Sequence, residues 1–277
     1  MSFIDTSVYS NVLRQDIHLD LFLPNDRPEH KIKKPRGVIY FLHGLGSSEK
    51  QFREYTATNR YARDNHMAVV YVSRPQSFYN DMRHGLKYFT YITEELPLLL
   101  SSLYNLDFPR EKTFISGLSM GGYGAMRIGL ARPDLFGGIA ALSGPMDIKM
   151  MAETIKAMDE IDGDSASFLP VFGEDLVIPD ERDIYHLIKK VARLPAEEQP
   201  RILLCCGKQD NLAEIHAQNL AFMEFVKDLP LKEIEYKEWN GVHDYLFWDR
   251  AMMHSMAFFL KNKYDEEKIK FWRCEAE

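Results

Sequence analysis

The 277-residue sequence predicts an α/β fold, in which helices cover both faces of a central and mostly parallel sheet. Short apolar runs without polar alternation recur along the chain, as is typical of strands buried on both faces. Segments with helical spacing of apolar residues separate these runs. At 45% hydrophobic residues the chain can bury one large core, so we predict a single domain over 1–277.

The sequence up to residue 103 predicts three strands and two helices. Residues 17–23 alternate between apolar and polar, which indicates a half-buried strand at a sheet edge. Phe78, Tyr79 and Asp81 fall in a loop at the carboxyl end of the sheet, where they serve either ordinary packing or substrate contact. The other predicted elements are a polar loop at 25–36, strands at 37–42 and 67–72, a helix at 49–64, and a helix at 86–103 that Pro97 kinks or restarts.

Residues 112–124 predict a short strand, a tight turn and the start of a helix. The turn carries a G-x-S-x-G motif from Gly117 to Gly121, with Ser119 at its centre. A serine on such a turn is lifted clear of the sheet, and the first N–H groups of the helix point at the reacting carbonyl. The alternative is a Gly/Ser-rich turn without chemistry, but the flanking strand and helix favour Ser119 as a nucleophile.

A second glycine-rich turn, His43-Gly-Leu-Gly46, follows the strand at 37–42. Its position matches the loop that supplies a second oxyanion donor in such folds. We predict that the amides of Leu45 and Met120 bind the oxyanion, and that His43 and Gly44 support the loop. His43 is also a candidate base, although it lies on the oxyanion side of the site.

The C-terminal half supplies the acid and the base. Asp210 follows the strand at 201–206 in a G-x-x-D turn, and His243 follows the strand at 234–239. Their order after Ser119 is that of serine hydrolase triads on α/β sheets. Asp147 is a competing acid because it also follows a strand, at 138–142, whereas Asp244 adjoins the histidine too closely to orient it. Further predictions are an insertion at 148–200 that covers the site as part of an acyl pocket, helices at 212–229 and 251–260, and a charged tail at 261–277.

Composition excludes several other classes of function. The net charge of −7 argues against nucleic-acid and anionic-membrane partners, and the basic cluster at 30–34 is short enough to be a solvated loop. No signal peptide or membrane span is evident, and three cysteines give no paired framework, so we expect reduced thiols in the cytoplasm. The nine histidines show no metal-binding spacing, and we expect neither metal nor cofactor.

The segments 111–124, 43–46, 207–210 and 241–244 together resemble the tributyrin esterase branch of the esterase D family, which includes S-formylglutathione hydrolases. Feruloyl esterases and mycolyltransferases are similar. The resemblance implies an α/β-hydrolase fold and an intracellular carboxylesterase that acts on short acyl esters, with Ser119, Asp210 and His243 as its triad. It is loosest over the insertion at 148–200.

The alternatives are S-formylglutathione hydrolysis, which uses the same chemistry at the serine, and cleavage of feruloyl or other aromatic esters. A non-catalytic binding module on the same scaffold is disfavoured by the complete triad. The partner expected is therefore a small ester. Aromatic and Met-rich segments also favour a homo-oligomer, but no motif fixes its symmetry.

Overall fold

The computed structural model describes residues 2–25, 33–73, 76–158, 160 and 163–261. One eight-stranded sheet runs through the described residues in the order β1-β2-β4-β3-β5-β6-β7-β8. Strands β3 to β8 are parallel, while β1 and β2 are antiparallel additions at one side. The strands are β1 (Ser2–Ser10), β2 (Gln15–Leu23), β3 (Val38–Leu42), β4 (Ala68–Val72), β5 (Thr113–Leu118), β6 (Gly138–Leu142), β7 (Arg201–Gly207) and β8 (Ile234–Trp239).

Helices pack on both faces of this sheet. In β3, Val38, Tyr40 and Leu42 point into one apolar core, whereas Ile39 and Phe41 point into a second core on the opposite face. The α/β prediction is therefore confirmed. The α-helices are α1 (Glu49–Tyr55), α2 (Thr58–Asn65), α3 (Tyr88–Thr90), α4 (Leu96–Tyr104), α5 (Met120–Ala131), α6 (Ile148–Lys156), α7 (Gly163–Ala166), α8 (Phe168–Phe172), α9 (Ile184–Val191), α10 (Ile215–Val226) and α11 (Tyr245–Phe259).

The edge-strand prediction for residues 17–23 is wrong. Strand β1 pairs with β2 along its whole length, from Ser2 opposite Leu23 to Ser10 opposite Gln15, and β1 is the edge. In β1, Ile4 and Val8 pack on one core, and Phe3 on the other face is 48% exposed and contacts the buried ring of Phe22. Two core contacts spaced four residues apart among polar residues give too weak an alternation to predict a strand.

The helix predicted at 49–64 is two helices. The helix is interrupted at residues 56–57, between α1 and α2. There the carboxylate of Asp249 in α11 accepts hydrogen bonds from the N–H of Ala57 at 2.7 Å and from the hydroxyl of Tyr61 at 2.9 Å. A distant residue thus stabilises the break, which local sequence cannot show.

Pro97 lies in a continuous right-handed helix, in which a π-helical segment separates α3 from α4. Residues Tyr91–Glu95 form a π-turn that joins α3 to α4, and Pro97 lies in the first turn of α4. Proline has no N–H for the carbonyl of Thr93. Arg132 donates to that carbonyl at 3.5 Å instead.

Helices α6 to α9 lie between β6 and β7, in the segment where the sequence indicates an insertion. Most of the basic cluster at 30–34 and nearly all of the tail at 261–277 lie outside the described residues. The single-domain boundary stays a prediction. In the described part of the chain, no helix is both long enough and apolar enough to cross a bilayer.

Candidate active site

Ser119 forms the turn between β5 and α5 in an uncommon backbone conformation with positive φ, at φ of 52° and ψ of −122°. Non-glycine residues adopt positive φ at a cost of roughly 1–2 kcal/mol, and such strain concentrates at functional sites. The N–H of Ser119 donates to the carbonyl of Leu142 at 2.8 Å, which ties the turn to the neighbouring strand β6. The surrounding fold therefore imposes the position of this side chain.

Two glycines make the turn sterically feasible. A Cβ on Gly117 would lie 2.2 Å from the carbonyl oxygen of Gly121, and a Cβ on Gly121 would lie 2.1 Å from that of Leu42. These neighbours are backbone atoms, which cannot rotate away as a side chain can.

We expect Gly121→Ala to lower the free energy of unfolding by about 3 kcal/mol, because the backbone must shift to admit the methyl group. Thermal unfolding measures the change, and Tm should fall by roughly 10 °C. The control is Gly163→Ala in α7, where no described atom lies within 4 Å of an added Cβ. Equal Tm values for the two variants would contradict this account of the turn.

The loop after β3 lies directly against Ser119. A Cβ on Gly44 would come within 2.7 Å of the Leu118 side chain and 3.3 Å of the Ser119 Cβ. His43 is buried, and its Nδ1 lies 2.8 Å from the Gly44 carbonyl. A carbonyl only accepts, so Nδ1 carries the proton and the ring holds its own loop.

Tyr79 stabilises the loop after β3 through a hydrogen bond. Its side chain is fully buried, and its hydroxyl donates to the carbonyl of His43 at 2.7 Å. Of the two aromatic residues that the sequence offered as substrate contacts, only Phe78 lines the cavity beside Ser119. Asp81 accepts hydrogen bonds from the backbone and the hydroxyl of Thr90.

Leu45 and Met120 both line the cavity next to Ser119. Met120 is the first residue of α5, and the first four N–H groups of a helix have no acceptor within it. These N–H groups also lie at the positive end of the helix dipole. A negative oxygen near Ser119 would thus meet a favourable potential.

Asp210 and His243 are hydrogen-bonded to each other. Nδ1 of His243 lies 2.8 Å from Oδ2 of Asp210, and the Asp210 side chain is completely buried. The ring of Trp248 in α11 packs edge-on against the imidazole, with 4.9 Å between centroids. Because Nδ1 faces the carboxylate, Nε2 is the ring nitrogen available to groups in the cavity, which His243 and Ser119 both line.

The competing acids have other partners. Asp147 is the N-cap of α6, where its Oδ1 accepts the N–H of Met150 at 2.8 Å. Asp244 is the N-cap of α11 and accepts the N–H of Phe247 at 2.9 Å. This cap starts the last helix at Tyr245, so the predicted start at 251 is wrong, and the signal for it was the aspartate itself.

The two described cysteines do not compete with Ser119 as nucleophiles. Both are buried on β7 and free of disulfides. Burial raises the pKa of Cys206 to about 12, with the charge of Asp210 adding to the shift, and burial also raises the pKa of Cys205. Both thiols stay protonated at neutral pH and are therefore poor nucleophiles.

The cavity that contains Ser119 and His243 has a volume of about 680 Å³. Helix α6 of the predicted insertion, with Met158 just beyond its end, forms one wall, and the turn after β7, with the start of α10, forms another. Within the described residues, no group of three or more His, Cys, Asp or Glu side chains is arranged to bind a metal. The cavity-lining side chains of the first wall are Met150, Met151, Thr154, Ile155 and Met158, and those of the second are Leu212, Ala213, Glu214 and Ile215.

A profile of the Esterase family, described as "Putative esterase", matches residues 10–259. The chain belongs to this family. Among its relatives is an acetyl esterase from Caldicellulosiruptor saccharolyticus, which is 29% identical over 272 residues, spanning 94% of this chain and 99% of the relative. This membership makes the protein a carboxylic ester hydrolase, as its sequence predicted.

Solved structures agree with this class of enzyme. The fluorophosphonate-binding serine hydrolase FphF of Staphylococcus aureus has a TM-score of 0.80 with this esterase at 28% identity, over 94% of this chain and 98% of its own. An S-formylglutathione hydrolase from the same organism has a TM-score of 0.76 at 28% identity, over the same shares. A ferulic acid esterase, at 20% identity and a TM-score of 0.72 over 94% and 98% of the two chains, shows the fold alone. The α/β-hydrolase fold is therefore confirmed, as is membership of the esterase D-like family.

Two residues near the site were not identified from the sequence: Trp248 packs on His243, and Gln218 connects two loops of the cavity. The sequence did place Tyr79 near the site, but not its hydrogen bond to the His43 carbonyl. Each acts through a tertiary contact and has no motif of its own. A helix start at Asp244 would have placed Trp248 in the first turn after the histidine.

Proposed function

We propose that this esterase hydrolyses short-chain acyl esters through Ser119, His243 and Asp210, with a covalent acyl-enzyme intermediate. The observation that carries the proposal is the 2.8 Å hydrogen bond between the fully buried carboxylate of Asp210 and His243. His243 lines the same cavity as Ser119. The likeness to an acetyl esterase and to a fluorophosphonate-binding serine hydrolase supports it.

In the first half-reaction, Nε2 of His243 takes the proton of the Ser119 hydroxyl as its oxygen attacks the ester carbonyl. Asp210 holds the imidazole in the required tautomer and stabilises its charged form. The amides of Leu45 and Met120 donate to the tetrahedral oxyanion. His243 then returns the proton to the departing alcohol, which leaves an acyl group on Ser119.

Water repeats the sequence on the acyl-enzyme. His243 takes a proton from water, the hydroxide attacks the acyl carbonyl, and Ser119 leaves with the proton. The acid product and free enzyme result. Both oxyanion donors are backbone groups, so Ser119 and Asp210 are the better targets for mutation.

A substrate panel tests the proposal. We expect p-nitrophenyl acetate and butyrate to have higher kcat/KM than p-nitrophenyl octanoate and methyl ferulate. The Met side chains of α6 line one wall and reduce the space for a long acyl chain. The remaining cavity volume must hold the alcohol part of the ester and water. A preference for octanoate would overturn the short-chain assignment, and no hydrolysis of any ester would overturn the function.

Thioester hydrolysis is the second candidate, favoured by the likeness to the S-formylglutathione hydrolase. The serine chemistry is the same, so the ratio of kcat/KM for S-formylglutathione and p-nitrophenyl acetate decides between them. We place the chain in the tributyrin esterase branch, which predicts that the ester is favoured. A cytoplasmic location and a homo-oligomer are further proposals, which cell fractionation and light scattering of the purified protein test.

A further inference from the structure

Glu214 is an acidic side chain at the edge of a cavity whose other lining residues are neutral, apart from the proposed base His243. It follows the proposed acid Asp210 by four residues, and its side chain is exposed. The remaining lining is mostly apolar, with methionines on the facing wall. A substrate in this cavity therefore meets one fixed negative charge.

The backbone that carries Glu214 is in a strained conformation. Ala213 has φ of 46° and ψ of 33°, and Glu214 has φ of 57° and ψ of 26°. Two successive non-glycine residues in the left-handed region are uncommon, and such strain persists only where the surroundings impose it.

Gln218 of α10 is the residue that imposes it. This buried side chain donates from Nε2 to the carbonyl of Ala213 at 2.7 Å, and its Oε1 accepts the N–H of Asp147 at 2.9 Å. Asp147 begins α6. Gln218 thus connects the turn that bears Glu214 to the start of α6, which forms the facing wall.

The charge of Glu214 is not neutralised within the described part of the chain. No described lysine, arginine or histidine forms an ion pair with it, whereas His216, two residues along the chain, is paired with Glu238 at 2.8 Å. Because this carboxylate is exposed, water and salt screen it, and it acts mainly on a charge that a bound substrate brings within a few ångströms.

We propose that Glu214 sets the preference of the enzyme for substrate charge: it disfavours esters that carry a carboxylate and favours neutral or cationic ones. This inference rests on the proposed esterase function. Like charges that share the cavity repel, which we expect to lower kcat/KM for an anionic ester by roughly three- to ten-fold. S-formylglutathione has a net negative charge, so the same side chain disfavours the thioester.

Two matched pairs of substrates test the inference on the full-length enzyme. One pair places the charge in the acyl part: mono-p-nitrophenyl adipate and its methyl ester. The other places it in the alcohol part: 4-acetoxybenzoate and its methyl ester. The readout is the ratio of kcat/KM for the anionic and neutral member of each pair, in which any effect of Glu214 on His243 cancels.

We expect Glu214→Gln to raise this ratio by roughly three- to ten-fold in at least one pair, and Glu214→Lys to raise it further. Added salt should shrink the difference between wild type and variants. The control is Glu224→Gln, an exposed residue of α10 outside the cavity lining, which should leave both ratios unchanged.

The two proposals fail in different ways. If the wild-type enzyme does not hydrolyse the neutral esters, the proposed function is refuted. If the wild-type enzyme hydrolyses them, and neither Glu214 variant changes the kcat/KM ratio in either substrate pair, only the role of Glu214 is refuted.

Discussion

The Ser119→Ala variant is expected to lose p-nitrophenyl butyrate hydrolysis by about 10⁵- to 10⁶-fold in kcat, which is the loss typical of a triad nucleophile. The physical reason is that no covalent intermediate can form without the hydroxyl. The residual rate would come from the oxyanion donors and from substrate binding. Initial rates at high enzyme concentration measure the change.

Ser47→Ala is the matched control, because Ser47 lines the same cavity and its hydroxyl contacts that of Tyr245 at 3.0 Å. We expect it to keep at least about a tenth of wild-type kcat, since it loses one ordinary hydrogen bond. Circular dichroism should show both variants folded. A folded Ser119→Ala enzyme with near wild-type turnover would rule out Ser119 as the nucleophile.

The Asp210→Asn variant is expected to lower kcat by about 10⁴-fold. An amide can donate a hydrogen bond to Nδ1 of His243, which places the imidazole proton on the nitrogen that faces Ser119. The histidine then cannot accept the serine proton. Steady-state rates at saturating p-nitrophenyl butyrate measure the loss.

Asp147→Asn distinguishes the two acids that the sequence offered. Asn caps a helix about as well as Asp, so α6 should keep its N-terminus and its stability. We expect this variant to retain most of its activity. If Asp147→Asn were the variant with the large loss and Asp210→Asn the near-normal one, the acid would be misassigned.

The order of most elements, and the position of each candidate site residue just after a strand, could be predicted because they depend on local signals. Unbroken apolar runs mark β3 to β7 as central strands, and each site residue follows the carboxyl end of such a run or, for His243, of β8. Parallel strands bring those ends to one edge of the sheet. The contact between Asp210 and His243 follows from that geometry, 33 residues apart in sequence.

The errors arose where distant contacts outweigh local pattern. Strand β1 pairs with β2 although most of its side chains are polar, and Asp249 in α11 stabilises the break between α1 and α2. Glu214 could not be identified as a cavity residue because its turn depends on Gln218 and on positive φ at two non-glycine residues. No propensity scale predicts such a backbone.

The most direct measurement is mass-spectrometric mapping of the residue that a fluorophosphonate probe modifies. The phosphorus reacts fastest with a serine that an adjacent base has activated, because an ordinary hydroxyl is a weak nucleophile at neutral pH. The account predicts a single phosphonyl adduct on Ser119 in the wild-type enzyme, and a labelling rate lower by orders of magnitude in His243→Ala. An adduct on another residue, or equally rapid labelling of Ser119 without His243, would contradict it.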